Sequence, residues 1–345
     1  MAKLFFLLSG EHETLPVSES KAVLETEGYG FKLLEKLDQT IRIEADSNCV
    51  EAIKRRAAFT RLCGLELFSC EAETSKIVKA THFISLNEVL GDGESFVVRV
   101  KRVKNHSSKA DIMALERKLG ELVLNEKTKA KVNLKSPDKT FVGILTDGKF
   151  IFGMKLAEIL PKPFVERRPK KKPFFHPSAM HAKLARCMVN LAKPKTGEFL
   201  LDPFCGTGST LIEAALIGCH ALGLDIQRRM VRGSLKNLAY FHINPEGVIV
   251  ADARNTPITK IECVVTDPPY GRSATTLKRT TKQIVEEVLM TVHGMLDNGR
   301  RVCMAAPKTL NIGHIGTVLG YNHLESHFVY VHRSLTREIA IFEKV

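Results

Sequence analysis

Two absences limit what this sequence can encode. No C-x-x-C pair occurs among the eight cysteines, which stand singly, so we expect neither a disulfide framework nor a zinc site. No metal ligand is expected among the functional residues. No stretch approaches the ~20 apolar residues of a membrane span. The run Leu4–Leu8 is too short even for a signal peptide, and we expect it to be a first strand. A cytoplasmic protein with no membrane contact is the expectation.

Acidic residues are scarce in one segment of the chain. The 345 residues carry a net charge of +13, and residues 99–172 alone hold 20 basic and 8 acidic side chains. A basic surface of this kind indicates a polyanionic partner, although a scattered solvated surface is the alternative. Since most of the excess falls in one fifth of the chain, we favour a binding patch.

A glycine-rich loop in the second half lacks the features of a nucleotide-phosphate loop. The segment 199–210 reads F-L-L-D-P-F-C-G-T-G-S-T, which predicts a buried strand, a tight turn and the start of a helix. It has neither the lysine of a phosphate loop nor the third glycine of the dinucleotide fingerprint. Asp202 at its start suits a ligand with a cationic end rather than a pyrophosphate.

Further acidic residues are predicted at the ends of the strands that follow. Asp225 comes about 20 residues after the loop, where a carboxylate can accept both hydroxyls of a ribose. Asp252 and Asp267 follow the next two predicted strands, and Asp252 is placed to accept from an adenine amino group. A lone aspartate at a strand end is usually a turn former, but four in succession predict one ligand site.

The turn after the last of these strands offers acceptors and almost no donors. Residues 264–271 read V-V-T-D-P-P-Y-G, and the two prolines end the strand because neither can donate a ladder hydrogen bond. Asp267 and the Pro268 carbonyl can accept the two hydrogens of an exocyclic amino group. Tyr270 can stack on the ring that carries this group, and Gly271 lets the backbone pass close by. The alternative is a plain Pro-Pro turn.

These segments resemble the amino-methylating branch of the class I methyltransferases. The resemblance covers about 174–345 and rests on "FFHPSAMHAKLARCMVNLA", "DPFCGTGST", "GLDI", "ADAR" and "DPPYG" in that order. It implies an α/β fold, a doubly wound sheet with a terminal antiparallel hairpin, and the cofactor S-adenosyl-L-methionine. It implies catalytic roles for Asp267, Pro268 and Tyr270. It also implies cofactor contacts from His176, Pro177, Asp202, Phe204, Gly206, Thr207, Gly208, Asp225, Ile226, Asp252 and Ala253.

The basic segment resembles a THUMP domain, an RNA-binding module. The match covers roughly 60–155 through "SFVVRVKRVKNH", "ALERKLGELV" and "KVNLKSPD", where Gly120 is expected to end a helix. A generic basic α/β unit is the alternative. The resemblance implies docking on tRNA through phosphates. Together with the C-terminal "HRSLTR" at 332–337, it resembles the THUMP-containing tRNA guanosine-10 N2-methyltransferases of archaea and eukaryotes.

We therefore predict four segments: an α+β, ferredoxin-like subdomain at 1–59, an RNA-binding THUMP domain at 60–156, a Pro/Lys/Arg-rich linker at 157–173 and the methyltransferase domain at 174–345. The linker is expected to be a hinge, because its four prolines forbid a continuous helix. The predicted RNA contacts are Arg99, Lys101, Arg102, Lys104, Arg168, Lys170, Lys171, Lys172, Arg333 and Arg337.

The function implied is methylation of guanosine N2 in tRNA, with one or two methyl groups added at position 10 by a monomer. Some relatives use a small zinc-binding activator protein, and the sequence leaves that partner open. Three alternatives remain: a THUMP methyltransferase for another tRNA or rRNA guanosine, an adenine-N6 DNA methyltransferase, and an RNA-binding subunit without catalysis. The intact Asp-Pro-Pro-Tyr turn argues against the last.

Overall fold

The structure is a computed structural model that describes residues 1–81, 86, 89–106, 111–126, 129–270 and 279–345. Gly271 of the predicted catalytic turn lies outside these residues. The chain divides into two compact units. The N-terminal unit comprises Met1–Glu13, Tyr29–Lys54 and Thr60–Ile159, and the C-terminal unit comprises Thr14–Gly28, Arg55–Phe59 and Leu160–Val345.

The described elements alternate between strands and helices through most of the chain. In order they are β1 Ala2–Leu8, α1 Leu15–Thr26, β2 Phe31–Leu37, β3 Thr40–Ala45, α2 Cys49–Arg56, β4 Thr60–Glu71, α3 Thr74–Thr81, β5 Ser95–Arg102, α4 Ile112–Glu126, β6 Lys131–Val132, β7 Lys139–Thr146, β8 Lys149–Glu158, α5 Lys162–Glu166, α6 Ala182–Leu191, β9 Phe199–Asp202, α7 Ser209–Ala215, β10 His220–Asp225, α8 Arg228–Tyr240, β11 Gly247–Val250, β12 Cys263–Thr266, α9 Thr281–Met295, β13 Arg301–Pro307, α10 Ile312–Val318, β14 Tyr321–His332 and β15 Leu335–Lys344.

The strands of the N-terminal unit form one sheet in the order β2-β3-β1-β4-β8-β7-β5-β6. The first four have the strand order of a ferredoxin-like unit, but β4 also pairs with β8 in an antiparallel ladder. The predicted boundary at 59/60 therefore cuts through a continuous sheet and does not separate two domains. The β7–β8 hairpin turns at Asp147 and Gly148, which both have positive φ, as the Asp-Gly pair predicts.

Helix α4 runs through Gly120, so the prediction that this glycine ends the helix is wrong. Leu115, Leu119 and Val123 are buried at helical spacing on both sides of it. Their burial outweighs the ~1 kcal/mol that a glycine costs inside a helix.

The C-terminal unit is built on a sheet in the order β11-β10-β9-β12-β13-β15-β14. Its first five strands are parallel, and β15 lies antiparallel to both β13 and β14. This is the doubly wound sheet with a terminal antiparallel hairpin that the class I methyltransferase resemblance implies, and the prediction is confirmed. Alternate residues of β15 enter two cores on opposite faces, with Ile339 and Ile341 in one and Ala340 and Phe342 in the other.

Helix α1 belongs to the C-terminal unit because a buried carboxylate ties it there. Glu19 accepts the backbone N–H groups of Ala58 at 2.9 Å and Phe59 at 2.8 Å, and the side-chain amide of Asn190 at 2.9 Å. Burial raises the pKa of Glu19. A contiguous methyltransferase domain starting at 174 therefore leaves out part of its own core.

The predicted linker at 157–173 is also part of the C-terminal unit from Leu160 onward. Pro161 and Pro163 stand at the start of α5, where a missing N–H costs no helical hydrogen bond. Phe164 and Lys172 are buried. The segment is thus packed against its unit and is not the hinge that its prolines suggested.

All eight cysteines are free thiols, and seven of them are buried. Among the described helices, none combines the length and the apolar character that crossing a bilayer requires.

Candidate active site

The four predicted strand-end aspartates line one cavity. Asp202 ends β9, Asp225 ends β10, and Asp252 and Asp267 lie just beyond β11 and β12. Parallel strands bring these ends to the same edge of the sheet. The cavity has a volume of about 390 Å³.

The glycine loop forms one wall of this cavity, with unequal roles for its two glycines. Gly206 lines the cavity, has φ +49°, and donates its N–H to Asp225 Oδ2 at 3.1 Å. Gly208 has φ +77° and is not among the lining residues; a Cβ there would lie 2.3 Å from Ser234 Oγ. Gly208 therefore packs closely against Ser234 at the start of α7, and its predicted cofactor contact stays a prediction.

The Asp202 carboxyl group is buried behind the loop. It accepts from Thr266 Oγ1 at 2.9 Å and from the Phe204 N–H at 3.1 Å. Burial raises the pKa of Asp202 to about 7, and these hydrogen bonds oppose the shift. Its charge is therefore sensitive to a cation that binds nearby.

Asp225 and Asp252 differ in how their carboxylates are occupied. Asp225 accepts one backbone N–H on each oxygen, from Gly206 and from Gln227 at 2.8 Å, and burial raises its pKa. Asp252 is held by Arg254, whose Nε lies 2.8 Å from Oδ1 and whose Nη2 binds Oδ2, so that its pKa is lowered. An adenine amino group would have to share Asp252 with this guanidinium.

The two oxygens of Asp267 have different surroundings. Oδ2 lies 3.2 Å from Nη2 of Arg337. Oδ1 is buried and has no hydrogen-bond partner among the described residues. Burial raises the pKa of Asp267, and the charge of Arg337 and then the Tyr270 hydroxyl oppose that shift. A buried acceptor without a donor is costly unless a ligand supplies one.

Arg337 was predicted to contact RNA, and the structure places it in the cavity instead. It stands near the start of β15 beside Pro307 of β13, and its side chain is 13% exposed. Its Nε donates to the Tyr270 hydroxyl, and its guanidinium carbon lies 5.7 Å from the Tyr270 ring centroid. No local pattern indicates this contact, because residues 67 positions apart in the chain meet only through the register of the sheet.

Other predicted site residues separate into those that reach the cavity and one that does not. Pro177 does not line the cavity, whereas His176 and Ser178 on either side of it do. The predicted residues that do line it are His176, Phe204, Thr207, Ile226, Ala253, Pro268 and Tyr270. Several lining residues were not predicted, among them Met180, Gln227, Arg254, Arg279 and Ile284.

Lys172 was predicted to contact RNA, and the structure contradicts this. Its side chain is 6% exposed, and its Nζ donates to Ser209 Oγ at 2.7 Å. Burial lowers the pKa of Lys172 to about 8, although Glu213 opposes the shift. It supports the loop from behind, since Ser209 lines the cavity.

The other basic residues predicted to contact RNA differ in whether they pair with a carboxylate. Arg168, Lys170, Lys171 and Arg333 are exposed. Lys104 lies 2.9 Å from Asp38, and weaker pairs join Arg99 to Glu116 at 3.9 Å and Lys101 to Glu158 at 4.0 Å. Arg102 is half-buried. An RNA phosphate would have to compete with these carboxylates in the N-terminal unit.

One group of described side chains has metal-ligand geometry: Asp38, His106 and Asp147 in the N-terminal unit. A lysine already pairs with its central carboxylate, since Lys104 Nζ lies 2.9 Å from Asp38 Oδ2. We assign no metal to it.

Comparison with known proteins identifies the family. The tRNA (guanine(10)-N2)-dimethyltransferase of Methanothermobacter thermautotrophicus is 36% identical over 99% of this chain and 100% of its own length. The enzyme of the same name from Methanocaldococcus jannaschii is 31% identical over 99% of both chains. This chain belongs to the tRNA (guanine(10)-N2)-dimethyltransferase family.

Two family models also match. One, described as an RMKL-like methyltransferase domain, matches residues 169–336, and the other, described as a DNA methylase, matches residues 78–236. Among solved structures, TrmN from Thermus thermophilus superposes with a TM-score of 0.55 at 17% identity, over 99% of this dimethyltransferase-family chain and 100% of TrmN. A possible methylase from Clostridium difficile 630 superposes with a TM-score of 0.57 at 14% identity, over 100% of this chain and 98% of its own. At these identities the likeness establishes the fold alone.

Proposed function

We propose that this chain transfers methyl groups from S-adenosyl-L-methionine to the exocyclic N2 of guanosine at position 10 of tRNA. The observation that carries the proposal is the buried Oδ1 of Asp267, an acceptor that a substrate amino group can satisfy. It lies in the same cavity as Asp202, Asp225 and Asp252. Relatives matched over their full length are named for this reaction.

The cavity suits the cofactor in size and polarity. Its volume of about 390 Å³ falls within the range of ligand sites. Asp225 would accept the ribose hydroxyls, Asp252 the adenine amino group, and Asp202 would face the cationic end. When bound, the cofactor supplies an electrophilic methyl group on its sulfonium.

The chain's own contribution is to make a poor nucleophile react. The lone pair of guanine N2 is delocalised into the ring, and the nitrogen gains positive charge as it attacks. Asp267 Oδ1 and the Pro268 carbonyl would accept the two N2 hydrogens, localise the lone pair and stabilise that charge. Tyr270 would hold the ring in line with the methyl group.

Arg337 supports this step without touching the reacting atoms. Its charge opposes the effect of burial on Asp267, so a larger share of the carboxylate is ionised. Because it binds Oδ2, the other oxygen stays available. We therefore propose Arg337 as a positioning residue.

Two methyl additions are compatible with the same acceptors. In the first transfer the methyl–sulfur bond breaks as the methyl–nitrogen bond forms, and one N2 proton passes to Asp267, which releases it to solvent. N2 then still carries one hydrogen, with which Asp267 can form a hydrogen bond in a second round. The full-length relatives are named dimethyltransferases.

A guanine paired in a stem must first be extruded, at a cost of a few kcal/mol.

The DNA alternative is favoured by one observation, the DNA methylase model that matches residues 78–236. That range ends before Asp252 and Asp267, so it does not include the turn on which the reaction depends. The basic excess over 99–172 supports binding through phosphates, which DNA and RNA share, so the choice of tRNA rests on the named relatives. We propose that the N-terminal unit contains the THUMP module, that the enzyme is a monomer, and that a small zinc-binding activator is a candidate partner.

Separate incubations of the full chain and labelled cofactor with tRNA, with rRNA and with DNA, each followed by mass-spectrometric nucleoside analysis, test the proposal. N2-methylated guanosine in tRNA is the expected product. Methyladenine in DNA, or methylation confined to rRNA, would favour one of the alternatives.

A further inference from the structure

The β14–β15 hairpin carries surface residues close to the catalytic pair. Arg337 pairs across the sheet with Pro307 on one side and Val329 on the other. Since neighbouring strands lie about 4.8 Å apart, the backbone of Val329 is one strand spacing from Arg337, which binds Asp267. Residues next to this row therefore lie about one strand spacing from the backbone of Arg337, which lines the cavity.

Two aromatic side chains on β14 lie exposed beside this row. Tyr330 is 71% exposed and Phe328 is 47% exposed. Because they alternate with Val329, they share one face of the strand, and their Cα atoms are about 7 Å apart. Val329 instead packs against the core, and His327 is buried. The strand thus presents two large rings on one face.

One cation contacts these rings, and a second is exposed on the same hairpin. Lys308 Nζ lies 5.0 Å from the Phe328 ring centroid. Arg333 is exposed at the turn of the hairpin, beyond the row of Arg337. Protein interfaces are also enriched in Tyr, Phe and Arg but depleted in Lys, and the cation on the Phe328 ring is a lysine. Aromatic rings next to lysine and arginine instead match the bases and phosphates of single-stranded nucleic acid.

We propose that this hairpin surface, formed by Phe328, Tyr330, Lys308 and Arg333, stacks on the nucleotides that flank the target guanosine. The inference rests on the proposed function, in which the target base leaves its stem and its neighbours lose a stacking partner. Rings on the strand beside Arg337 can replace that stacking. Every base has a π-face, so the surface tolerates different flanking sequences.

The test measures tRNA affinity at fixed salt for Tyr330→Ala, Phe328→Ala and the double variant in the full chain. Each substitution should weaken tRNA binding by roughly 5- to 150-fold, the range for loss of one base–aromatic stack. Cofactor affinity and the thermal midpoint should stay unchanged, since both side chains are exposed. Tyr240→Ala is the matched control, because it removes a 56% exposed tyrosine on α8.

Two further substitutions separate stacking from general apolar contact. Tyr330→Trp should bind tRNA like the wild type, whereas Tyr330→Leu should be as weak as Tyr330→Ala. Arg333→Ala should lower the salt dependence of binding, which the ring substitutions should not change. If Tyr330→Leu binds normally, or the double variant matches Tyr240→Ala, the stacking proposal is overturned.

Failure of the hairpin proposal and failure of the proposed function give different results. A wild-type protein that binds tRNA but methylates no guanosine would refute the reaction, and the hairpin surface would still be judged on affinity. Normal methylation by a double variant with unchanged tRNA affinity would refute the hairpin surface alone. Loss of binding to a second copy or to a protein activator, with tRNA affinity intact, would overturn the stacking proposal and identify the surface as a protein contact.

Discussion

Arg337 Nη2 lies 3.2 Å from Asp267 Oδ2, and the other carboxylate oxygen, Oδ1, has no hydrogen-bond donor among the described residues. The pair joins the turn after β12 to the start of β15. One oxygen is thus fixed by the protein and the other is available to a substrate.

Removal of the Asp267 carboxylate should abolish most of the chemistry and leave binding intact. Asp267→Ala should lower the single-turnover rate of methyl transfer by about 10²–10³-fold, roughly 2.7–4 kcal/mol, as for the loss of other electrostatic contacts to a transition state. Asp267→Asn should be nearly as slow, because its amide keeps an acceptor but no charge. Tyr270→Phe should be milder, since the ring survives. If Asp267→Ala loses cofactor affinity while folded, Asp267 belongs to the cofactor site.

Substitution of Arg337 should change the pH dependence of the reaction. The step needs ionised Asp267, and Arg337 lowers a pKa that burial raises. Arg337→Gln should therefore raise the Asp267 pKa and move the acid limb of the single-turnover pH–rate profile to higher pH. In Arg337→Lys, which keeps a positive charge, the acid limb should lie closer to its wild-type pH than in Arg337→Gln. If the acid limb of the Arg337→Gln profile keeps its wild-type midpoint, whether or not the variant is slower, this role is contradicted.

Cofactor affinity should fall on acidification through the pKa of Asp202. That pKa is raised to about 7, and a cationic ligand binds the ionised form better, so affinity is full above pH 7 and decreases below it. Asp202→Asn should bind weakly and lose most of this dependence in calorimetric titrations. Asp225→Ala should bind weakly at every pH. A wild-type affinity that is flat across pH 7 would argue that Asp202 faces no cation.

Adjacent lysines should differ in their effect on tRNA binding. Lys171 is exposed and Lys172 is buried against Ser209. If Lys171 contacts a phosphate, Lys171→Ala should reduce the slope of log affinity against log salt by about 0.7 to 0.9. Lys172→Ala should leave that slope unchanged and lower the thermal midpoint, because it removes buried contacts.

Point substitutions in the full chain are the suitable test of these lysines, since a fragment that starts after residue 172 would lack α1. Equal salt slopes for the two lysine variants would show that burial of Lys172 does not keep it from the RNA.

The methyltransferase sheet and its aspartates could be predicted from sequence because both depend on local patterns. A buried strand followed by Asp is visible within about ten residues, and parallel strands bring such ends to one edge of the sheet. The role of Arg337 was not predictable, because it depends on the register of β15 against β13. Lys172 looked like its neighbours in a basic run, and only packing distinguishes it.

The predicted domain boundaries were wrong for a related reason. Composition marked residues 157–173 as a linker, but it carries no information about where Phe164 and Lys172 pack. Likewise, Glu19 ties α1 to a unit that is distant in sequence through hydrogen bonds to Ala58, Phe59 and Asn190.

The most direct test of the central claim uses a tRNA transcript in which guanosine 10 is replaced by inosine, a base that lacks the exocyclic amino group. Wild-type protein and labelled cofactor should add one or two methyl groups to guanosine 10 of the unmodified transcript, located by mass spectrometry of its fragments. The inosine transcript should bind with similar affinity and remain unmethylated. Methylation of the inosine transcript at a level equal to the unmodified tRNA would contradict transfer to N2 of guanosine 10.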